Sequence, residues 1–64
     1  MERSLINAIA YGKRRAEKIY TSFNELVEDA QYEYYLRDDE VVILREKLKA
    51  YCIKHHCRNI SNVQ

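Results

Sequence analysis

An uninterrupted seam of apolar or small residues, spaced alternately four and three positions apart, most limits what this chain can fold into. The seam begins at Leu5 and reaches Ala30 without a change of phase. This heptad spacing is typical of a helix that packs lengthwise against other helices, so we predict an all-α protein with coiled-coil-like packing. The predicted core and dimer seam consists of Leu5, Ile9, Gly12, Ala16, Ile19, Phe23 and Leu26, with Val41, Leu44 and Leu48 from a second helix.

The seam predicts one long helix over about 4–36, in a chain that has no proline and a single glycine. A competing interpretation ends this helix near Ser22, because Ser22 and Glu25 fit a capping box and Thr21 is a weak helix former. The heptad phase continues through this point, whereas a break would usually disturb it. We therefore favour the continuous helix.

A run of charged residues at 37–40 marks the clearest boundary in the chain. Asp38 suits the N-cap position, and the two acidic residues after it place negative charge at the positive end of a helix. We predict a turn at about 37–38, a second helix over about 39–57, and a frayed tail over 58–64.

The charges fall into three blocks, with net values of +3 in residues 1–20, −6 in 21–40 and +4 in 41–64. An antiparallel hairpin lays the basic second helix against the acidic half of the first. It leaves the apolar residues of 5–16 uncovered, so we expect a homodimer in which two hairpins form a four-helix bundle. A break near Ser22 gives a monomeric three-helix bundle instead. Both alternatives make residues 1–64 a single domain.

The expected location is the cytoplasm. No stretch approaches the roughly 20 apolar residues that cross a bilayer, and the N-terminus lacks the order of a secretion signal. Two cysteines are too few for a disulfide framework, so we expect reduced thiols. The small size is typical of an accessory gene of a phage or plasmid.

An acidic, tyrosine-rich segment around the predicted turn is the first candidate for function. Tyrosine offers a large contact area at little cost in side-chain entropy and is enriched in protein interfaces. We therefore expect a regulatory adaptor or inhibitor that binds a partner protein of the host cell through this segment. The predicted partner-binding residues are Tyr32, Tyr35, Asp29, Glu33, Asp38 and Asp39.

A basic cluster is the alternative candidate. The predicted hairpin brings basic residues of the first helix near the end of the second, where they could track a phosphate backbone. A net charge of only +1 and the lack of a recognised nucleic-acid motif weigh against this function. The predicted nucleic-acid-binding residues are Lys13, Arg14, Arg15, Lys18, Lys54 and Arg58.

Metal binding and catalysis are the weakest possibilities. Cys52, His55, His56 and Cys57 could supply ligands, but Cys57 points away from the others on a continuous helix and zinc usually needs four ligands. The chain has no glycine-rich phosphate loop, and its cysteines and histidines are adjacent in sequence rather than drawn from distant elements. We expect no enzymatic activity, no metal and no cofactor.

Overall fold

Three helices and a short parallel pair of strands make up the computed structural model, which describes residues 3–63. The chain is therefore mostly helical, as predicted, with two very short strands in addition. The helices are α1 (Arg3–Ala16), α2 (Phe23–Glu33) and α3 (Asp38–Lys54), and the strands are β1 (Thr21–Ser22) and β2 (Ile60–Ser61).

The prediction of one continuous helix over 4–36 is wrong, because the chain leaves the helix after Ala16 and enters another at Phe23. Ser22 has extended dihedral angles, and its Oγ accepts a hydrogen bond from the amide of Glu25 at 3.2 Å. The hydroxyl of Thr21 also donates to Glu25 Oε1 at 2.9 Å. These side chains satisfy polar groups at the start of α2 and so stabilise a new N-terminus there.

The three helices alternate in direction along the chain. α1 and α2 are antiparallel, since Arg15 pairs with Asp29 in the middle of α2, whereas Tyr11, one turn earlier in α1, contacts Tyr34 just after α2. α1 and α3 are parallel, because Gly12 faces Leu48 while Lys13 and Glu17 both reach Tyr51 further along. The predicted two-helix hairpin is therefore replaced by a bundle of three helices, which was the alternative.

The core lies where the three helices meet. Eight of the ten predicted seam residues are buried, while Ile19 and Val41 are half-buried. Within residues 5–16, expected to need a second copy as cover, Leu5, Ile9 and Ala16 are buried against other parts of the same chain, while Ile6 stays 50% exposed. The homodimer stays a prediction, but most of the apolar surface that motivated it is buried within one chain.

The turn into α3 is capped one residue earlier than predicted. Arg37, rather than Asp38, occupies the N-cap position with extended dihedral angles. Its amide donates to Oε1 of Glu40 at 2.9 Å, and Glu40 is largely buried. The acidic first turn of α3 therefore combines a capping carboxylate with a favourable interaction with the helix dipole.

The tail is packed rather than frayed, so this part of the prediction is wrong for residues 58–63; Gln64 lies outside the described residues. Ile60 is buried and β2 pairs in parallel with β1. The amide of Thr21 donates to the carbonyl of Asn59 at 3.1 Å, and Asn59 Nδ2 donates to the carbonyl of Ala16 at 3.4 Å. The tail thus holds the connection between α1 and α2 against the bundle.

Within residues 3–63, none of the helices combines the length and the apolar character needed to cross a membrane.

Candidate functional site

The directions of the helices separate two charged ends in a body about 28 Å long. Because α1 and α3 are parallel, their basic C-terminal turns lie at the same end of the bundle. The turn between α2 and α3, with its acidic and aromatic residues, lies at the other end. The structure therefore keeps the two predicted functional surfaces apart.

The acidic end presents what we call the tyrosine tip, formed by Tyr32, Glu33, Tyr35, Asp38 and Asp39. All five side chains are exposed, Tyr32 by 69% and Tyr35 by 91%. The tip thus offers two aromatic rings next to three carboxylates.

Asp29, the sixth residue predicted for this surface, forms a salt bridge with α1 on the side of the bundle instead. Its Oδ2 lies 2.8 Å from Nε of Arg15 on α1. The third tyrosine of the segment, Tyr34, packs edge-on against Tyr11, with ring centroids 5.7 Å apart. Only part of the predicted acidic surface is therefore free to meet a partner.

The backbone holds Tyr35 in an unusual conformation. Its φ is +54°, in the left-handed region where glycine is the usual residue after a helix. The amide of Leu36 donates to the carbonyl of Gln31 at 3.0 Å, which is the six-to-one bond of a Schellman motif. Burial of Leu36 anchors this turn and leaves the ring of Tyr35 in solvent.

The C-terminus of α3 repeats this arrangement at His56. The φ of His56 is +50°, and the amide of Cys57 donates to the carbonyl of Cys52 at 3.1 Å. The turn places Cys57 close enough to Cys52 to affect its titration, which the sequence did not predict. Burial raises the pKa of the Cys52 thiol to about 11 and also raises the pKa of Cys57.

The four residues of the proposed metal cluster are not brought together as a ligand set. The ring of His55 stacks on Tyr51, with centroids 4.3 Å apart, and both His55 and His56 are exposed. Among residues 3–63, no three His, Cys, Asp or Glu side chains are arranged to hold a metal ion.

The six predicted basic residues do lie toward one end of the bundle, but two have partners within the chain. Arg15 pairs with Asp29, and its guanidinium carbon lies 5.4 Å from the ring centroid of Tyr11. Lys13 Nζ lies 5.4 Å from the ring centroid of Tyr51. The exposed remainder comprises Arg14, Lys18, Lys54 and Arg58.

Glu17 and Tyr51 form a side-chain hydrogen bond that the sequence did not predict, and we call it the Glu17–Tyr51 link. The hydroxyl of Tyr51 donates a hydrogen bond to Oε2 of Glu17, just beyond the end of α1. Spacing along the chain gives no signal for this contact, because the two residues are 34 positions apart. The link ties the C-terminal ends of α1 and α3 together.

We expect this link to show in the titration of Tyr51. The hydrogen bond to Glu17 raises the pKa of Tyr51 from 10.0 to about 12. Below pH 10 Tyr51 is neutral in the folded and unfolded chains, so its hydrogen bond contributes fully to stability and that contribution does not change with pH. Between about pH 10 and 12 the unfolded chain ionises first, and the contribution is lost. Nuclear magnetic resonance of Cζ-labelled tyrosine measures this pKa, and Glu17→Gln should lower it towards the ordinary value. A pKa that Glu17→Gln leaves unchanged would contradict the assignment.

The two ends therefore suit different ligands. The tyrosine tip offers aromatic and acidic groups for a basic, partly apolar surface, whereas the basic end offers cations for anionic groups.

No protein-family model, curated protein or solved structure matches this chain in the comparisons with known proteins.

Proposed function

We propose that this protein is a non-enzymatic adaptor or inhibitor that binds a partner protein through its tyrosine tip. The observation that carries the proposal is the conformation of Tyr35, a large aromatic residue held at φ +54° with 91% of its surface exposed. The proposal does not require the predicted homodimer, which light scattering after gel filtration would test.

The conformation of Tyr35 is costly, and its own ring gains little packing within the chain. A residue with a Cβ in the left-handed region costs about 1–2 kcal/mol, and glycine at the same position avoids that cost. An exposed ring buries little apolar surface in return. Strained residues of this kind cluster at binding sites, where the surrounding structure holds a side chain in position for a ligand.

His56 has the same backbone conformation and serves as an internal comparison. Histidine is among the residues that enter the left-handed region several times more often than others, whereas a bulky aromatic residue there is an outlier. His56 therefore needs no functional explanation, while Tyr35 does.

The neighbours of Tyr35 support a protein partner. Tyr32 adds a second exposed ring, and the carboxylates of Asp38 and Asp39 lie at the start of α3. Aromatic anchors with a charged rim are the composition of an interface hot spot, and the acidic rim suits a partner with a basic surface. Acidic groups repel phosphates, so this end of the bundle is unsuited to nucleic acid.

Tyr35→Gly should stabilise the protein and abolish binding. Glycine relieves the strain but adds freedom to the unfolded chain, so we expect the free energy of unfolding to rise by about 0.5–1 kcal/mol. Losing the ring should at the same time remove the interface anchor. Urea denaturation measures stability, and affinity capture from a lysate of the native host, followed by mass spectrometry, measures binding.

His56→Gly is the matched control for this experiment. It should give a smaller gain in stability, because histidine tolerates this conformation better, while capturing the same proteins as the wild type. Tyr35→Ala completes the set, because it removes the ring without relieving the strain and should lose binding with no gain in stability. Equal capture by the wild type and both Tyr35 variants would refute the proposal.

Nucleic-acid binding is the second candidate function, supported by the parallel arrangement of α1 and α3. That arrangement places Arg14 and Lys18 at the same end of the bundle as Lys54 and Arg58. The same capture experiment distinguishes the two candidates. Material that is lost after nuclease treatment, and that binds the Tyr35 variants normally, would favour this second function.

A further inference from the structure

A groove between α1 and α3 lies apart from the tyrosine tip and shares only Lys13 and Lys54 with the predicted basic surface. Its apolar end is lined by Ile6, Ile9 and Ala10, and Lys13 and Lys47 lie where this end meets the next section. Towards the C-terminal ends of the two helices it continues along Ala50, Tyr51 and Lys54. We call this surface the α1–α3 groove.

The groove exists because each helix has a second stripe besides the one in the core. On α3, the residues Ile43, Lys47, Ala50 and Lys54 recur at spacings of four, three and four, which places them on one face. All four are exposed, with 39% of Ile43 accessible, and Ile6 on α1 is 50% accessible. Ile6 therefore leaves apolar surface in solvent within the groove, and Ile43 does so beside it, one turn before Lys47 on the same face of α3.

The charge of the groove has a single sign. Among the described residues, Lys13, Lys47 and Lys54 line it and no acidic residue does. Within residues 3–63 these three lysines form no salt bridge with a carboxylate. Glu17, which lies near this end of the groove, accepts a hydrogen bond from the hydroxyl of Tyr51. A ligand of the groove would therefore meet unneutralised positive charge beside apolar surface.

We propose that the α1–α3 groove binds an acidic amphipathic helix of a partner protein. Two parallel helices leave a concave channel that fits a third rod, and an amphipathic helix is recognised by laying its apolar face into such a channel. The exposed isoleucines receive that face, and the lysines meet acidic residues on its flanks. Charge complementarity thus defines the partner, and the site is separate from the tyrosine tip.

The mixed chemistry of the groove distinguishes this partner from other polyanions. A nucleic-acid backbone is contacted through cations and polar groups, and it makes no use of Ile6 and Ile43. A membrane surface is flat or convex at this scale and would not enter a channel between helices. The α3 residues that line the groove extend from Lys47 to at least Lys54, which are about 10 Å apart along a helix.

A synthetic peptide tests the proposal on the full-length protein. The probe is an amphipathic peptide of about 18 residues, long enough to form a helix, with leucine on one face and glutamate on its flanks. Chemical shifts of the Ile6 and Ile43 methyl groups and of the Lys47 amide report where it binds. We expect these signals to move in a saturable manner, with small changes at the tyrosine tip.

Charge reversal at one lysine supplies the decisive comparison. Lys47→Glu should raise the dissociation constant of the peptide at least about tenfold, which corresponds to about 1.4 kcal/mol. Lys49→Glu is the matched control, because Lys49 is also exposed on α3 but lies outside the groove, beside Phe23 and Arg45. The control should bind like the wild type.

A swap of charges on the ligand completes the test. A peptide with lysine in place of glutamate should bind the wild type weakly and gain affinity for Lys47→Glu. Equal binding by Lys47→Glu and Lys49→Glu, or no shift at Ile6 and Ile43, would overturn the proposal. So would preferential binding of duplex oligonucleotides or anionic vesicles through Lys47. Tyr35→Gly should leave peptide binding unchanged, so the tyrosine tip and the groove can fail independently.

Discussion

Replacing Leu48 by alanine is expected to lower the free energy of unfolding by about 3–5 kcal/mol. Leu48 is fully buried at the point where α3 crosses Gly12 of α1. A domain of this size has a total stability on the order of 3–10 kcal/mol, so the loss should unfold a large fraction of the protein at moderate temperature. Urea denaturation in the presence of a stabilising osmolyte measures the change. Lys49→Ala, one residue away and exposed, should change stability by less than about 0.5 kcal/mol.

The contact between Leu48 and Gly12 also predicts the effect of a substitution at Gly12. A Cβ added at Gly12 would lie 2.7 Å from Leu48 Cδ1 and 2.8 Å from Cδ2, closer than real atoms approach. Gly12→Ala should therefore be neutral or destabilising in the wild type, because crowding opposes the roughly 1 kcal/mol gained from helix propensity.

In the Leu48→Ala protein the sign should reverse. The cavity left by the leucine admits the methyl group, so Gly12→Ala should then raise the free energy of unfolding by about 1 kcal/mol. A double-mutant cycle measures this coupling. Purely additive effects of the two substitutions would show that α1 and α3 do not pack at this point.

Ile60→Ala is expected to lower the free energy of unfolding by about 2–4 kcal/mol. Ile60 is 6% exposed and belongs to the core, and β2 holds the connection that precedes α2. Its loss should also speed hydrogen exchange of the Thr21 amide, which donates to the carbonyl of Asn59.

Ile53→Ala controls for the loss of an isoleucine without loss of burial. Ile53 is 56% exposed, so this substitution should change stability by no more than about 0.5 kcal/mol. A tail that frays, as the sequence alone predicted, would make the two substitutions equivalent. Equal stability of Ile60→Ala and Ile53→Ala would therefore restore the original interpretation.

The break between α1 and α2 shows what a heptad pattern reports. Ala16 and Phe23 are seven positions apart and both are buried, so the seam keeps its phase although the chain leaves the helix between them. The pattern records which residues face the core, and it does not record whether the backbone is continuous. The capping signal at Ser22 was local and correct, but the sequence did not show that it outweighed the seam.

For the candidate surfaces too, the sequence shows one part and the tertiary structure decides the other. The tyrosines and carboxylates around the turn, and the lysines and arginines near the helix ends, are visible as blocks of charge in the sequence. The sequence does not show which of these charged side chains are free to bind a partner. Asp29 and Arg15, for example, form a salt bridge between α2 and α1. The left-handed conformation of Tyr35 also has no sequence signal, since glycine is the residue that normally marks it.

By itself, the sequence determined the helical class, the core residues and the start of α3, because periodic burial and caps are set by neighbours within a few positions. The tertiary structure alone decided the parallel packing of α1 on α3, the docking of the tail through Ile60, and the groove with its exposed lysines. These features join residues more than 30 positions apart. Their stability depends on which apolar faces are buried against each other. Local sequence does not set this pairing, because it results from packing all three helices and the tail around one small core.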